Sequence, residues 1–276
     1  METIVYYNGY YSSFSDASIP LSDRSVFFGD AVYDVVLGSQ RGGLYQVDLH
    51  LKRLLKNASF IGVKINEDLH KLILEISKRA TSEYYSVYIQ LSRIGKERNH
   101  VSSTPEKANV LVIVSEVKFS ANDDPISAIT CEDKRYSFCD IKTTNLLPAV
   151  LASQMARACG ADEAIFIRDG FVTEGAKSNC FIIYDNLLIT HPKDSHILPG
   201  ITRDNLIGVA SFAGLEIKEE KYTRNDLFSA DEILITSITK FAKRVSHLDG
   251  IKVGMKNEKT AIRLQKLLRS DFEKMN

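Results

Sequence analysis

Phe119-Ser120-Ala121-Asn122-Asp123-Asp124-Pro125 divides the chain. The stretch is short, polar and rich in residues that interrupt helices and strands. It predicts a first domain over residues 1–118, a linker over 119–125 and a second domain over 126–276. The length agrees. A chain of 276 residues exceeds one ordinary core and suits two domains of about 100–150 residues each.

Upstream of the linker, aromatic residues flank Asn8-Gly9, the strongest short hairpin signal. Asp48 reads as a helix N-cap. After it Leu51, Leu54, Leu55, Ala58 and Ile61 recur at helical spacing, and Gly62 is a plausible stop. A second helix is expected over roughly Asp68–Ala80, then strands over Ser86–Arg93 and Asn109–Val117. Downstream, a long strand pattern covers Ile126–Ile141 and a helix spans about Leu147 to Ala158. Glu163–Arg168, an Asp169-Gly170 turn and Cys180–Tyr184 come next. Thr202–Ala213 reads as a helix, Glu232–Ser237 as a strand and Glu258–Phe272 as the last helix. The mixture predicts an α/β or α+β chain.

Lys+Arg and Asp+Glu both total 35, so the net charge is zero. Nucleic-acid and membrane-surface partners draw on a basic excess, and neither is expected. Cys131, Cys139, Cys159 and Cys180 form no CxxC pair and no regular framework, which reads as reduced thiols. Met1-Glu2-Thr3-Ile4 lacks the basic start and apolar stretch of a signal peptide, and the apolar runs are strand-length. A cytoplasmic enzyme is expected.

Several residues could carry chemistry. Lys142 ends the apolar-leaning stretch Tyr136–Ile141. Burial lowers an amine's pKa and frees it for a Schiff base; a lysine at a strand end can equally just reach solvent. Glu174 follows the Asp169-Gly170 turn, where a carboxylate beside a pyridine nitrogen would keep that nitrogen protonated. The plain alternative is a loop glutamate in water. Leu198-Pro199-Gly200-Ile201-Thr202 opens a helix whose free N–H groups attract an anion, or is an ordinary helix start. Arg53 could hold a phosphate bidentately, or be a solvated helix charge. Arg98 and His100 lie in a basic loop that suits a small carboxylate or stays a mobile cationic loop. No GxGxxG or GxxxxGK[ST] is present, against a Rossmann dinucleotide site or a P-loop. His191 and His196 are close in sequence, but no third ligand stands at useful spacing, and no metal is expected.

Together these segments resemble the fold-type IV pyridoxal-phosphate aminotransferases, and within them the bacterial D-amino acid aminotransferases. The resemblance rests on Phe28-Gly29-Asp30-Ala31-Val32-Tyr33-Asp34-Val35, His50-x-x-Arg53-Leu54 and Arg98-Asn99-His100. It continues through Cys139-Asp140-Ile141-Lys142-x-x-Asn145, Thr173-Glu174-Gly175-x-x-Ser178-Asn179, Leu198-x-Gly200-Ile201-Thr202-Arg203 and Thr236-Ser237. The blocks occur in the family's order and span nearly the whole chain.

The resemblance implies a smaller N-terminal α+β domain and a larger C-terminal mixed α/β domain, with pyridoxal 5'-phosphate between them. It implies that Lys142 binds the cofactor and moves protons, and that Glu174 pairs with the ring nitrogen. Arg53, Gly200, Ile201 and Thr202 would form the phosphate site with Ser237, Ile238 and Thr239, and Leu198 would pack against the ring. Tyr33, Arg98 and His100 would bind the substrate carboxylate. The activity implied is ping-pong transfer from D-alanine or D-glutamate to a 2-oxo acid such as pyruvate or 2-oxoglutarate, by a homodimer. Three positions depart from the pattern: Ile238 where a Thr is usual, Asp34 where a Glu is usual, and Ala176 where a Ser is frequent. Alternatives of the same fold are an L-branched-chain aminotransferase, an (R)-amine transaminase and an aminodeoxychorismate lyase; Arg98-x-His100 argues against all three. A non-catalytic binding protein of this fold has no need of both Lys142 and Glu174.

Overall fold

The computed structural model describes residues 1–102, 107–118 and 124–275. It divides into two compact units: Met1–Phe119 with Ile141–Asn145 and Met275–Asn276, and Ser120–Asp140 with Leu146–Lys274. Residues 119–123 of the expected linker lie outside the described residues. Lys142 belongs to the first unit, although its sequence position falls in the second half.

The first unit is built on a six-stranded sheet in the order β2-β1-β6-β5-β3-β4. Its strands are β1 (Ile4–Tyr7), β2 (Tyr10–Ser13), β3 (Ala31–Ser39), β4 (Gly43–Leu44), β5 (Tyr84–Ser92) and β6 (Asn109–Glu116). Asn8 and Gly9 turn β1 into β2 with φ of 47° and 99°, the left-handed pair that matches strand twist. The helices are α1 (Ser25–Phe28), α2 (Val47–Phe60) and α3 (Leu69–Ser77). Leu51, Leu54 and Ala58 of α2 and Leu69, Ile73 and Ile76 of α3 join Val32, Val36, Val87, Ile89 and Val112 in one core. Most of the helical spacing read from the sequence is therefore the buried stripe, but Leu55 is exposed, and Ile61 and Leu72 are only half-buried. Asp68 caps α3 through Lys71 N, as a short polar side chain does. Asp48 does not cap α2. Gln46, in the left-handed region at φ 50°, holds that position, and Asp48 lies in the first turn.

The second unit holds a nine-stranded sheet in the order β12-β11-β10-β13-β14-β7-β8-β9, with β15 paired to β14. The strands are β7 (Ile126–Glu132), β8 (Glu163–Arg168), β9 (Phe171–Gly175), β10 (Asn179–Tyr184), β11 (Leu187–Thr190), β12 (Glu216–Glu219), β13 (Glu232–Ser237), β14 (Phe241–Leu248) and β15 (Ile251–Lys252). Four helices complete it: α4 (Leu147–Ala158), α5 (Ile201–Phe212), α6 (Arg224–Ser229) and α7 (Glu258–Glu273). The expected strand Ile126–Ile141 is too long. β7 stops at Glu132, because Asp133 and Arg135 turn into a buried ion network.

Candidate active site

Lys142 lies in a five-residue return of the chain to the first unit. It is not a strand end. Its carbonyl accepts from Tyr33 N at 3.0 Å, Thr144 N donates to Ala31 O at 3.1 Å, and Thr143 bridges to Val32. Ile141 anchors the segment in the core. Asn145 Nδ2 donates to Gly29 O at 3.0 Å. Gly29 is required there: its φ is +58°, and a Cβ would meet Asn145 Oδ1 at 2.3 Å. The half-buried Lys142 side chain ends with Nζ 4.3 Å from the centroid of the Tyr33 ring. Tyr33 in turn stacks on Tyr88 at 5.3 Å.

Beside Tyr33, Asp34 is fully buried. Arg53 donates to it through both Nε and Nη2 at 2.8 Å, and His50 Nδ1 lies 2.8 Å from Oδ1. Burial alone would raise this carboxyl. The hydrogen bonds from His50 and Arg53 outweigh it and hold Asp34 well below the usual carboxylate range. The expected phosphate ligand Arg53 is thus locked in orientation by Asp34. His50 Nε2 is buried with no hydrogen-bond partner among the described residues.

Arg98 and His100 are exposed. The His100 ring packs on Phe28 at 5.1 Å, and the Arg98 guanidinium stands 5.6 Å from the same ring.

In the second unit Glu174 lies near the end of β9 and is buried. Arg135 Nη1 donates to one of its oxygens; Leu198 N and Asn179 Nδ2 donate to the other at 3.0 Å. Arg135 commits its two-pronged edge elsewhere, with Nε and Nη2 on Asp133 at 2.9 Å. Burial pushes the Glu174 carboxyl up to about 7, against the pull of Arg135 and the Leu198 N–H. Sequence reading missed Asp133 and Arg135. Their signal is faint: two charges two residues apart, on one face of an extended segment.

Gly200, Ile201 and Thr202 start α5. Gly200 is the N-cap and supplies no side-chain bond, so the first-turn N–H groups are open to an anion. A Cβ on Gly200 would meet Asn179 Oδ1 at 2.2 Å. Leu198 is half-buried, and its carbonyl accepts from Asn179 Nδ2 at 2.8 Å. Ser237 closes β13, followed by the turn residues Ile238 and the exposed Thr239. Thr236 Oγ1 is buried without a partner among the described residues. The open helix start, this orphaned hydroxyl and a carboxyl at about 7 are what a phosphate-bearing pyridine needs of its protein.

Asp194 is the third ligand-type residue that spacing did not identify. Its Oδ2 lies 3.1 Å from His191 Nε2 and 3.3 Å from His196 Nδ1, and its Oδ1 accepts from His196 N. The ligand-type atoms of His191, Asp194 and His196 all lie within 4.8 Å of one another. The basic run Lys240–Arg244 is partly used in ion pairs, Lys240 with Glu163 at 3.5 Å and Arg244 with Glu258 at 3.2 Å.

A family model described as amino-transferase class IV matches residues 31–248. The chain belongs to the class IV aminotransferases. It is 36% identical over 257 residues to a D-alanine aminotransferase of Staphylococcus epidermidis, covering 91% of each chain. It is 34% identical over 277 residues to a D-alanine aminotransferase of Staphylococcus aureus, covering 98% of this chain and 96% of that one. Among solved structures, a branched-chain amino acid aminotransferase of Escherichia coli superposes with a TM-score of 0.83 at 22% identity, covering 98% and 94% of the two chains. A fold IV-transaminase of Curtobacterium pusillum gives 0.81 at 18%, covering 96% and 99%. These likenesses establish the aminotransferase fold.

Proposed function

We propose that this class IV aminotransferase is a pyridoxal-phosphate-dependent D-amino acid aminotransferase. It transfers the amino group of D-alanine or D-glutamate to a 2-oxo acid such as pyruvate or 2-oxoglutarate. The observation that carries the reading is Lys142, pinned by its backbone to Tyr33 with its amine on the Tyr33 ring. The D-alanine aminotransferase relatives support the choice of substrate over the branched-chain reading.

Pyridoxal phosphate, when bound, supplies an electron-withdrawing ring that stabilises negative charge on the substrate carbon. Every other task falls to the chain. Lys142 Nζ holds the cofactor at rest, then takes and returns the substrate's proton. Glu174 keeps a positive charge on the pyridine nitrogen, and Arg135 keeps Glu174 in place. Arg53, the N–H groups of Ile201 and Thr202, and Ser237, Ile238 and Thr239 would be the residues that hold the phosphate. Because Ile238 has no hydroxyl, phosphate binding there would draw on backbone groups or on Thr239. Leu198 would pack on the ring. Tyr33, Arg98 and His100 bind the α-carboxylate. Two half-reactions share this machinery in turn.

The reading includes a homodimer, a cytoplasmic location and two domains joined by the linker 119–125, with residues 141–145 contributed to the first. No helix among the described residues is long and apolar enough to cross a membrane. The test is a panel of D-amino acids, L-amino acids and chiral amines with pyruvate and 2-oxoglutarate as acceptors. Turnover confined to the D-amino acids is expected. Turnover of L-leucine or of an (R)-amine alone overturns the substrate assignment.

A further inference from the structure

The loop with Arg98 and His100 has little core of its own: residues 96–101 are exposed. Exposed loops ordinarily sample many conformations, yet carboxylate recognition requires its two hydrogen-bond donors held in fixed relation. Something else in the first unit must supply the order.

Arg24 is placed to do so. It is 6% exposed. Its Nε donates to Asp30 Oδ2 at 2.8 Å, its Nη2 to His100 O at 3.0 Å, and its Nη1 to Asn99 O. The guanidinium lies 4.5 Å from the centroid of the Phe28 ring, and the His100 ring packs on that same phenylalanine. One planar cation thus grips two consecutive carbonyls of the loop and rests on the ring that receives His100. The root of the loop is fastened to the same carboxylate: Arg93 Nε donates to Asp30 Oδ2 at 2.8 Å. Gly95 N donates to Ser22 O at 2.8 Å, and a Cβ on Gly95 would press on Arg24 Cγ at 3.0 Å.

We infer that Arg24, fixed by Asp30, is a positioning residue for substrate binding: it sets the conformation in which the loop presents Arg98 and His100 to the substrate carboxylate. The inference rests on the assignment of those two residues to the carboxylate. Arg24 does not touch substrate, since its Nε, Nη1 and Nη2 are committed to protein oxygens. Only arginine does this work, because a lysine ammonium cannot span two carbonyls and a carboxylate in one plane. A buried guanidinium could instead serve stability alone, and the two roles separate in kinetics. A positioning role moves the substrate concentration for half-maximal rate; a stability role moves the melting temperature.

The experiment is the single-turnover half-reaction of the holoenzyme with D-alanine, followed by the cofactor's visible band, for wild type, Arg24→Lys, Asp30→Asn and Arg98→Ala. Arg24→Lys is expected to raise the half-saturating D-alanine concentration about tenfold, the cost of charge-assisted hydrogen bonds lost from the loop, with the limiting rate within about twofold. Asp30→Asn should shift it in the same direction and keeps the test available if Arg24→Lys folds poorly. Half-saturation unchanged in both variants, while Arg98→Ala raises it, overturns the positioning role and leaves the carboxylate assignment standing. Half-saturation unchanged in Arg98→Ala overturns the assignment itself, and this inference with it.

Discussion

Asp34 and Glu174 are both carboxylates buried beside an arginine, and their carboxyls are displaced in opposite directions. Asp34 receives the full two-pronged edge of Arg53 together with His50, and sits well below the ordinary range. Glu174 receives a single Arg135 nitrogen, because Asp133 occupies the rest of that guanidinium, and its carboxyl rises to about 7. The difference lies in the share of compensating charge each receives. Asp34 is fully compensated and acts as a strut for Arg53. Glu174 is under-compensated and gains from one more positive charge, which a protonated pyridine nitrogen provides.

The sharpest way to break this contrast is Glu174→Gln. An amide cannot hold the ring nitrogen's proton, so turnover should fall by about 100-fold or more, with thermal stability retained. Kinetics and a melting curve on one preparation check it; equal loss of both would make Glu174 a second strut. Asp34→Asn should do the reverse. Removing one partner of a buried ion pair costs about 3 kcal/mol, measured by urea unfolding, and cofactor affinity should fall as Arg53 loses its orientation. A variant as stable as wild type contradicts the strut.

A smaller effect is expected from Arg135→Lys, which keeps the charge but cannot serve Asp133 and Glu174 at once. Turnover should drop about tenfold. Its pH profile should shift, because less compensation raises the Glu174 carboxyl further. An unmoved profile would remove Arg135 from the account.

The smallest effect is in acid stability. Asp34 has a depressed carboxyl in the folded state. Its stabilisation is therefore present above the unfolded value of about 3.9 and is lost as pH falls through the lower, folded value. The stability gap between wild type and Asp34→Asn should be constant at neutral pH and narrow only below about pH 4. A gap that closes nearer neutrality would contradict the depressed carboxyl.

The contrast also marks what the sequence discloses. Asn8-Gly9, the helix Leu147–Ala158 and the strand Glu232–Ser237 are readable because a turn dipeptide or a local periodicity decides each. Lys142, Glu174 and Leu198–Thr202 are legible only as an ordered set of motifs. Asp133 and Arg135 are not legible at all. Their role comes from partners at Glu174, Thr173 and the His196 carbonyl, far along the chain. For the same reason the alternation from Ile126 runs past the true end of β7 at Glu132. Arg24 is hidden likewise, since its partners Asn99 and His100 lie 75 and 76 residues away.

The most direct test of the central claim is the visible absorption spectrum of the purified protein with pyridoxal phosphate. It should be titrated with D-alanine and, on a fresh sample, with L-alanine, beside Lys142→Ala. Wild type should show a visible band that D-alanine alone bleaches, and Lys142→Ala should lack the resting band. Bleaching by L-alanine alone would contradict the substrate assignment, and a protein that stays colourless with added cofactor would contradict the enzyme itself.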